Sequence, residues 1–262
     1  MSATLRAEWI KLRTVRSTAW ALLTLAGVSI LFTTIATSES ETSGGSPGLP
    51  GDNDIVLDSL AGIWFGQIAV AALAVLAITS EYTTRMIRTT LAASPRRRTV
   101  LAAKAAVSGT VALVAGLVTS VACFLVGQSI LRGNGFVYEN GYPSASLGDF
   151  DTFRAVAGSG VYLGLLAVFS LGVGAIVRHT AGAITAVLAL ILGPVIAIGF
   201  LPEHLVEPVE QVSLMGAGLA IQQTVDRPDN IPLSPSAGLG VVCAYAAGAL
   251  LVALWSIRRR DA

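Results

Sequence analysis

Residues 155–201 read AVAGSGVYLGLLAVFSLGVGAIVRHTAGAITAVLALILGPVIAIGFL, and Arg178 is the only formal charge among them. A bilayer core of about 30 Å needs about 20 mostly apolar residues per helix, so this stretch holds two spans, 155–177 and 181–201. Only Arg178, His179 and Thr180 join them, which forces an antiparallel pair with a tight turn. Gly193 and Pro194 predict a kink or loosened hydrogen bonding in the second helix of the pair.

Four further blocks of similar length carry no Asp, Glu, Lys or Arg: 17–38, 60–80, 105–131 and 237–257. Hydrophobic residues make up 53% of the chain, charged ones 13%, and the mean hydropathy is +0.71, so the composition excludes an ordinary soluble domain. The predicted fold class is an all-α membrane protein, a single transmembrane domain over 1–262 with six transmembrane helices. Gly160 and Gly164 in the fourth span, and Ala244 and Gly248 in the sixth, have the small-xxx-small spacing that lets helix backbones approach closely.

The formal charge of +1 hides an asymmetry along the chain. With the N-terminus inside, fourteen of the seventeen basic residues face the cytoplasm, and only Arg132, Arg154 and Arg227 fall outside. The basic count fixes orientation, so both termini are expected in the cytoplasm. Trp9, Trp20, Trp64 and Trp255 fall in or near the interfacial zones that suit an apolar ring with one polar N–H. A basic stretch before an apolar one also resembles a secretory signal. The apolar block is too long for a signal core and lacks a clean small-x-small exit, so it reads as a retained span.

The connections carry most of the remaining information. Residues 2–16 read as a basic interfacial helix, with Leu5, Trp9 and Leu12 toward lipid, Lys11 roughly opposite and Glu8 beside them. The inner loop 81–104 contains Arg85 and Arg88 three apart and Ile87 and Leu91 four apart, which suits a short surface helix at about 82–93. Ser94 and Pro95 then restart the chain as N-cap and first helical residue, with Arg96, Arg97 and Arg98 at the foot of the third span. By itself that triplet is explained by topology and headgroup contact. The outer loop 38–59, with SGGSPGLPG and acidic residues, carries no assigned chemistry. The segment 202–236 holds an apolar run at 213–221, too short to cross a bilayer and punctuated by prolines, which predicts two short helices of re-entrant or interfacial kind.

Several chemistries are disfavoured. The only lysines are Lys11 and Lys104 and neither follows a glycine, so no phosphate-binding loop of the G-x-x-x-x-G-K-[ST] kind exists. The spans hold no ionisable side chain beyond edge residues such as Glu81, Arg178 and His179, which argues against ion-coupled transport, although some carriers use backbone carbonyls instead. Glu203, His204 and Glu207 read as a solvated face in preference to a metal site. Asp52, Asp54 and Asp58 lack the glycine and terminal glutamate of a calcium loop and read as solvated charge. Cys123 and Cys243 read as packing residues, and His179 as a capping or topology residue. No catalytic, cofactor or metal constellation emerges, so the chain itself reads as not an enzyme.

The opening RAEWIKLRTVRSTAW, the loop SEYTTRMIRTTLAASPRRRTVLAAK and the turn GVGAIVRHTAGAI resemble the permease subunits of ABC-2 type transporters from high-GC bacteria, over essentially the whole chain. The resemblance implies an ATP-driven exporter of the cell membrane whose ATP and Mg are bound by a separate cytoplasmic ATPase, with a second permease half, identical or related. It also implies an N-terminal interfacial helix, a cytoplasmic coupling helix between spans two and three, and re-entrant helices before the last span. Candidate ATPase contacts are then Glu81, Tyr82, Arg85, Arg88, Arg96 and Arg97, flanked by Glu8, Trp9 and Lys11 of the interfacial helix. The other partner is the lipid bilayer; no nucleic acid is implied. Two rival classes remain: a six-span channel or secondary carrier, and a non-transporting membrane scaffold or immunity protein.

The orientation predicts that cysteines introduced at Ser43 and Ser146 label from outside intact cells, whereas one at Ser94 does not. Labelling at position 94 reverses the orientation and every role built on it.

Overall fold

The computed structural model describes residues 2–40, 54–83, 97–137, 145–225 and 233–260. Six helices are long and apolar enough to cross a membrane: α2 (Arg16–Glu39), α4 (Ile63–Thr83), α5 (Arg97–Gly133), α6 (Phe150–Val177), α7 (Thr180–Ile198) and α10 (Pro235–Arg260). Among the described residues four shorter helices connect or precede them: α1 (Ser2–Thr14), α3 (Ile55–Ser59), α8 (Glu203–Val212) and α9 (Leu214–Leu219), the last continued by a 3-10 turn over Ala220–Gln222. No strand occurs among the described residues. The chain is an all-α membrane protein, as expected where hydrocarbon offers backbone groups no partner outside their own helix.

Most helix ends run beyond the apolar blocks, although α4 starts at Ile63 and α7 stops at Ile198, each inside its block. α4 runs on to Thr83 and takes Glu81 and Tyr82 into the helix, and α5 begins at Arg97 and takes in Lys104. Hydropathy delimits only what sits in hydrocarbon, whereas intrahelical hydrogen bonding continues through polar residues beyond it. At 37 residues α5 is about 55 Å long, well beyond a bilayer core.

The centre of the bundle is α6. Of its span-forming window 72% is buried, against 17% for α2 and for α7, and α4, α5 and α10 all pack on it. Close packing there rests on missing side chains. A Cβ on Gly160 would lie 2.6 Å from Leu117 of α5, one on Gly164 would lie 2.9 Å from Leu113, and one on Gly172 would lie 2.8 Å from Ala249 of α10. The small-residue pair of the last span behaves differently: nothing approaches Gly248 within 4 Å.

The α6–α7 turn is as short as expected. Arg178 adopts a left-handed backbone (φ 61°) and closes α6 through its N–H on the Gly174 carbonyl, while His179 Nδ1 accepts from Gly182 N and caps α7. At the opposite end of the bundle the two expected short helices form. α9 is buried against α6, α7 and α10 and is capped by Ser213, whose Oγ accepts from Gly216 N at 2.9 Å. Its exit is fixed by Asp54, which is fully buried and therefore not the solvated charge its sequence suggests. Asp54 accepts from Leu57 N at the start of α3, and also from Thr224 N and Oγ1 (both 2.7 Å) and Val225 N (3.1 Å). Arg154 Nη2 donates to the Gln223 carbonyl at 2.6 Å, and Gln222 Nε2 to Ser159 Oγ at 2.9 Å, so the cap of α3 and two side chains of α6 hold one turn.

The glycine contacts generate an asymmetric expectation. Gly160→Val should lower the yield and melting temperature of the purified chain, by an amount in the range of about 1–3 kcal/mol for overpacking, whereas Gly248→Val should leave both nearly unchanged. Equal behaviour of the two variants in a thermal melt would place the closest helix contact elsewhere.

Candidate functional site

Four charges from three helices meet at the α1 end of the bundle. Lys104 Nζ of α5 donates to Glu8 Oε2 of α1 at 2.6 Å, to Glu81 Oε1 of α4 at 3.0 Å and to the Ala77 carbonyl at 3.3 Å. Lys11 Nζ donates to Glu8 Oε1 at 3.2 Å and to Glu81 Oε1 at 3.0 Å. Glu8, Glu81 and Lys104 are 3%, 6% and 4% exposed, while the Lys11 side chain is 37% exposed. Two carboxylates and two ammonium groups make the cluster formally neutral, which is what allows it to be buried at all.

The helices reach this arrangement because Glu8 and Lys11 lie one turn apart on α1, and Glu81 and Lys104 lie near the facing ends of adjacent helices. The face that α1 turns to the bundle is its charged one. Glu8 is its most buried residue, Leu5 and Leu12 are half-buried, and Trp9 is 50% exposed. A desolvated Lys104 needs counter-charge, and that need orients α1 more strongly than its sparse apolar stripe does.

Partial burial acts to lower the pKa of the Lys11 ammonium, and the hydrogen bond and charge of Glu81, joined by those of Glu8, outweigh it and hold the group above its ordinary 10.5. The stabilisation it contributes is therefore full below pH 10.5 and is lost as the pH rises through the folded-state value.

Among the other sequence candidates, Tyr82 ends α4 half-buried, with the Arg178 guanidinium 5.3 Å from its ring centroid. Arg97 is the first residue of α5. Arg85, Arg88 and Arg96 lie outside the described residues, as does the expected surface helix at 82–93 beyond Thr83. The structure thus gathers Glu8, Lys11 and Glu81 and leaves Trp9 out. It adds Lys104, whose sequence signal was its place one residue before an uncharged span, across the loop from Glu81.

Cavities lie at both ends of the bundle. One of about 320 Å³ lies against the charge cluster between α1, α2, α4 and α5. The other, of about 540 Å³, lies at the α8–α9 end and is lined by Trp64, Phe65, Ile198 and Met215 together with Asp58 and Glu210. Among the described residues no group of three His, Cys, Asp or Glu side chains could hold a metal ion. Comparison with protein-family models and with curated proteins finds no match.

Charge balance predicts the effect of substitution. Lys104→Met leaves two buried carboxylates with one shared, half-exposed partner and should cost about 3–5 kcal/mol in unfolding, while Lys11→Met should cost about 1 kcal/mol or less. Adding Glu8→Leu to Lys104→Met restores neutrality and should recover part of the loss. Thermal or denaturant unfolding of the four proteins in one detergent measures this; a double variant no better than Lys104→Met alone would show that charge balance does not govern the site.

Proposed function

We propose that this chain is the membrane-spanning permease of an ATP-driven exporter, moved by a separate cytoplasmic ATPase. The observation that carries this reading is where the buried charges lie. Glu81 and Lys104 sit on opposite flanks of the 84–96 segment, and both are bonded to α1. A partner that grips the segment between them would act at once on α1, α4 and α5. Through the Tyr82–Arg178 contact it would also act on the α6–α7 turn. The absence of a G-x-x-x-x-G-K-[ST] loop from the sequence gives a reason for nucleotide chemistry to reside in another chain.

In this reading Glu8, Glu81 and Lys104 transmit force inside the permease, and Tyr82, Arg85, Arg88, Arg96 and Arg97 remain the candidate ATPase contacts. The α8–α9 cavity, apolar with two carboxylates, suits an amphipathic cargo on its way out. A second half would cover apolar faces that are exposed in the single chain, such as Trp20 and Leu23 on α2 and Leu190 and Ile196 on α7.

Reversing Arg85 and Arg88 to Glu should leave insertion intact, because the remaining basic residues on that side still fix topology. It should weaken ATPase co-purification and ATP-dependent efflux, because attractive rim charges become repulsive. Reversing Arg258 and Arg259 changes the same charge outside the proposed contact and should do neither. Equal loss from both pairs at matched membrane levels would reduce the effect to general surface charge. Efflux from vesicles that contain this chain alone, driven by an ion gradient, would instead favour a secondary carrier.

A further inference from the structure

The hydrogen-bond inventory of the charge cluster is uneven, and the unevenness points to a ligand. An ammonium has three N–H donors. Lys104 uses all three, on Glu8, Glu81 and the Ala77 carbonyl, and both oxygens of Glu8 accept. Lys11 directs two bonds into the cluster, which leaves it one further donor. Glu81 accepts both of its bonds on Oε1, and its buried Oε2 has no hydrogen-bond partner among the described residues. Ser108 Oγ, on the next turn of α5 from Lys104, is also buried and without a partner. Buried polar atoms are rarely left so, since each forfeits its bonds to water.

Glu81, Ser108 and Lys11 all line the cavity of about 320 Å³. The remaining wall is largely apolar, and two of its residues, Leu76 and Val15, are themselves exposed on the surface of the bundle. The cavity therefore offers two acceptors for a cation, Glu81 Oε2 and Ser108 Oγ, and one ammonium donor for an anion, beside a hydrocarbon-like wall that reaches the lipid-facing surface.

We propose that this cavity binds the headgroup of an aminophospholipid such as phosphatidylethanolamine, drawn from the leaflet at the α1 end. Its primary ammonium donates to Glu81 Oε2 and Ser108 Oγ, its phosphate accepts from Lys11, and its acyl chains run along Val15 and Leu76. A trimethylated headgroup of the choline type has no N–H to donate and cannot make the Glu81 bond. The inference requires only that the chain sits in a membrane, and it holds whether or not an ATPase drives it.

Native mass spectrometry of the full chain with equal amounts of phosphatidylethanolamine and phosphatidylcholine tests the assignment. The ethanolamine lipid should be retained about tenfold over the choline lipid, the factor expected from one hydrogen bond to a charged group, with the N-methyl and N,N-dimethyl lipids in between. Lys11→Gln should lower that retention about tenfold, whereas Arg13→Gln, the same charge change on an exposed residue of α1, should not. Glu81→Gln, which replaces the charged acceptor by a neutral one, should reduce the preference between headgroups. If that variant fails to fold, the methylation series on the native chain still decides. Equal retention of the two lipids, or equal loss from Lys11→Gln and Arg13→Gln, overturns the proposal. Dodecylamine held as firmly as the ethanolamine lipid and indifferent to Lys11→Gln would also overturn it, by making the cavity a site for amines without phosphate.

Discussion

Lys104 sets the terms on which the α1 end of this bundle is built. Its ammonium lies near the end of a helix that is otherwise apolar for several turns, and it is buried. A buried ammonium is tolerated only with full hydrogen bonding and nearby negative charge. α4 alone supplies one carboxylate and one carbonyl, through Glu81 and Ala77. The third acceptor comes from Glu8, so satisfying Lys104 brings α1 to the bundle. Lys11 then enters to balance the second carboxylate. The placement of an N-terminal helix thus follows from the solvation requirement of one atom in another part of the chain.

The opposite end is held by a different kind of bond. Asp54 and Arg154 reach backbone groups at residues 223–225, and Asp54 also caps α3. Between the two ends, packing is set by what is absent. Gly160 and Gly164 let α5 lie against α6 along one ridge, and Gly172 does the same for α10. Some polar side chains of the bundle find partners across helices. Tyr162 donates to Gln67, and Gln128 Nε2 donates to Ser59 Oγ at 3.1 Å, because lipid would give them none.

How much of this the sequence disclosed depends on the range of the interaction. The six spans, the tight turn at Arg178 and the two short helices before the last span were legible, because apolar run length, a three-residue connection and proline spacing are local signals. Asp54 was misread because its partners, Thr224 and Val225, lie 170 and 171 residues away. What α1 turns inward was out of reach for a related reason. Leu5, Trp9 and Leu12 form the only stripe that α1 itself displays, yet Glu8 is drawn inward by a lysine 96 residues distant. Glu8, Lys11 and Glu81 were singled out as charges on one side of the membrane; that they meet one another is tertiary information. Lys104 reads from sequence only as a topology charge, because a lysine at a span boundary satisfies the positive-inside pattern, which needs no partner.

The two ends of the bundle therefore differ in how they respond to displacement. A carboxylate bonded to backbone N–H groups, such as Asp54, is tied to particular atoms and loses its bonds when the turn shifts. A neutral quartet of side chains can exchange partners. Glu81 Oε1 already accepts from both lysines, one on α1 and one on α5. No bare charge is exposed during such an exchange, which removes the largest electrostatic cost of moving buried ions. Under the proposed function, displacement enters at the α1 end and the α8–α9 end serves as the fixed frame. That division matches the bonding. Exchangeable ion pairs involve residues on both sides of the 84–96 segment in sequence, and non-exchangeable backbone bonds clamp the turn beside the larger cavity.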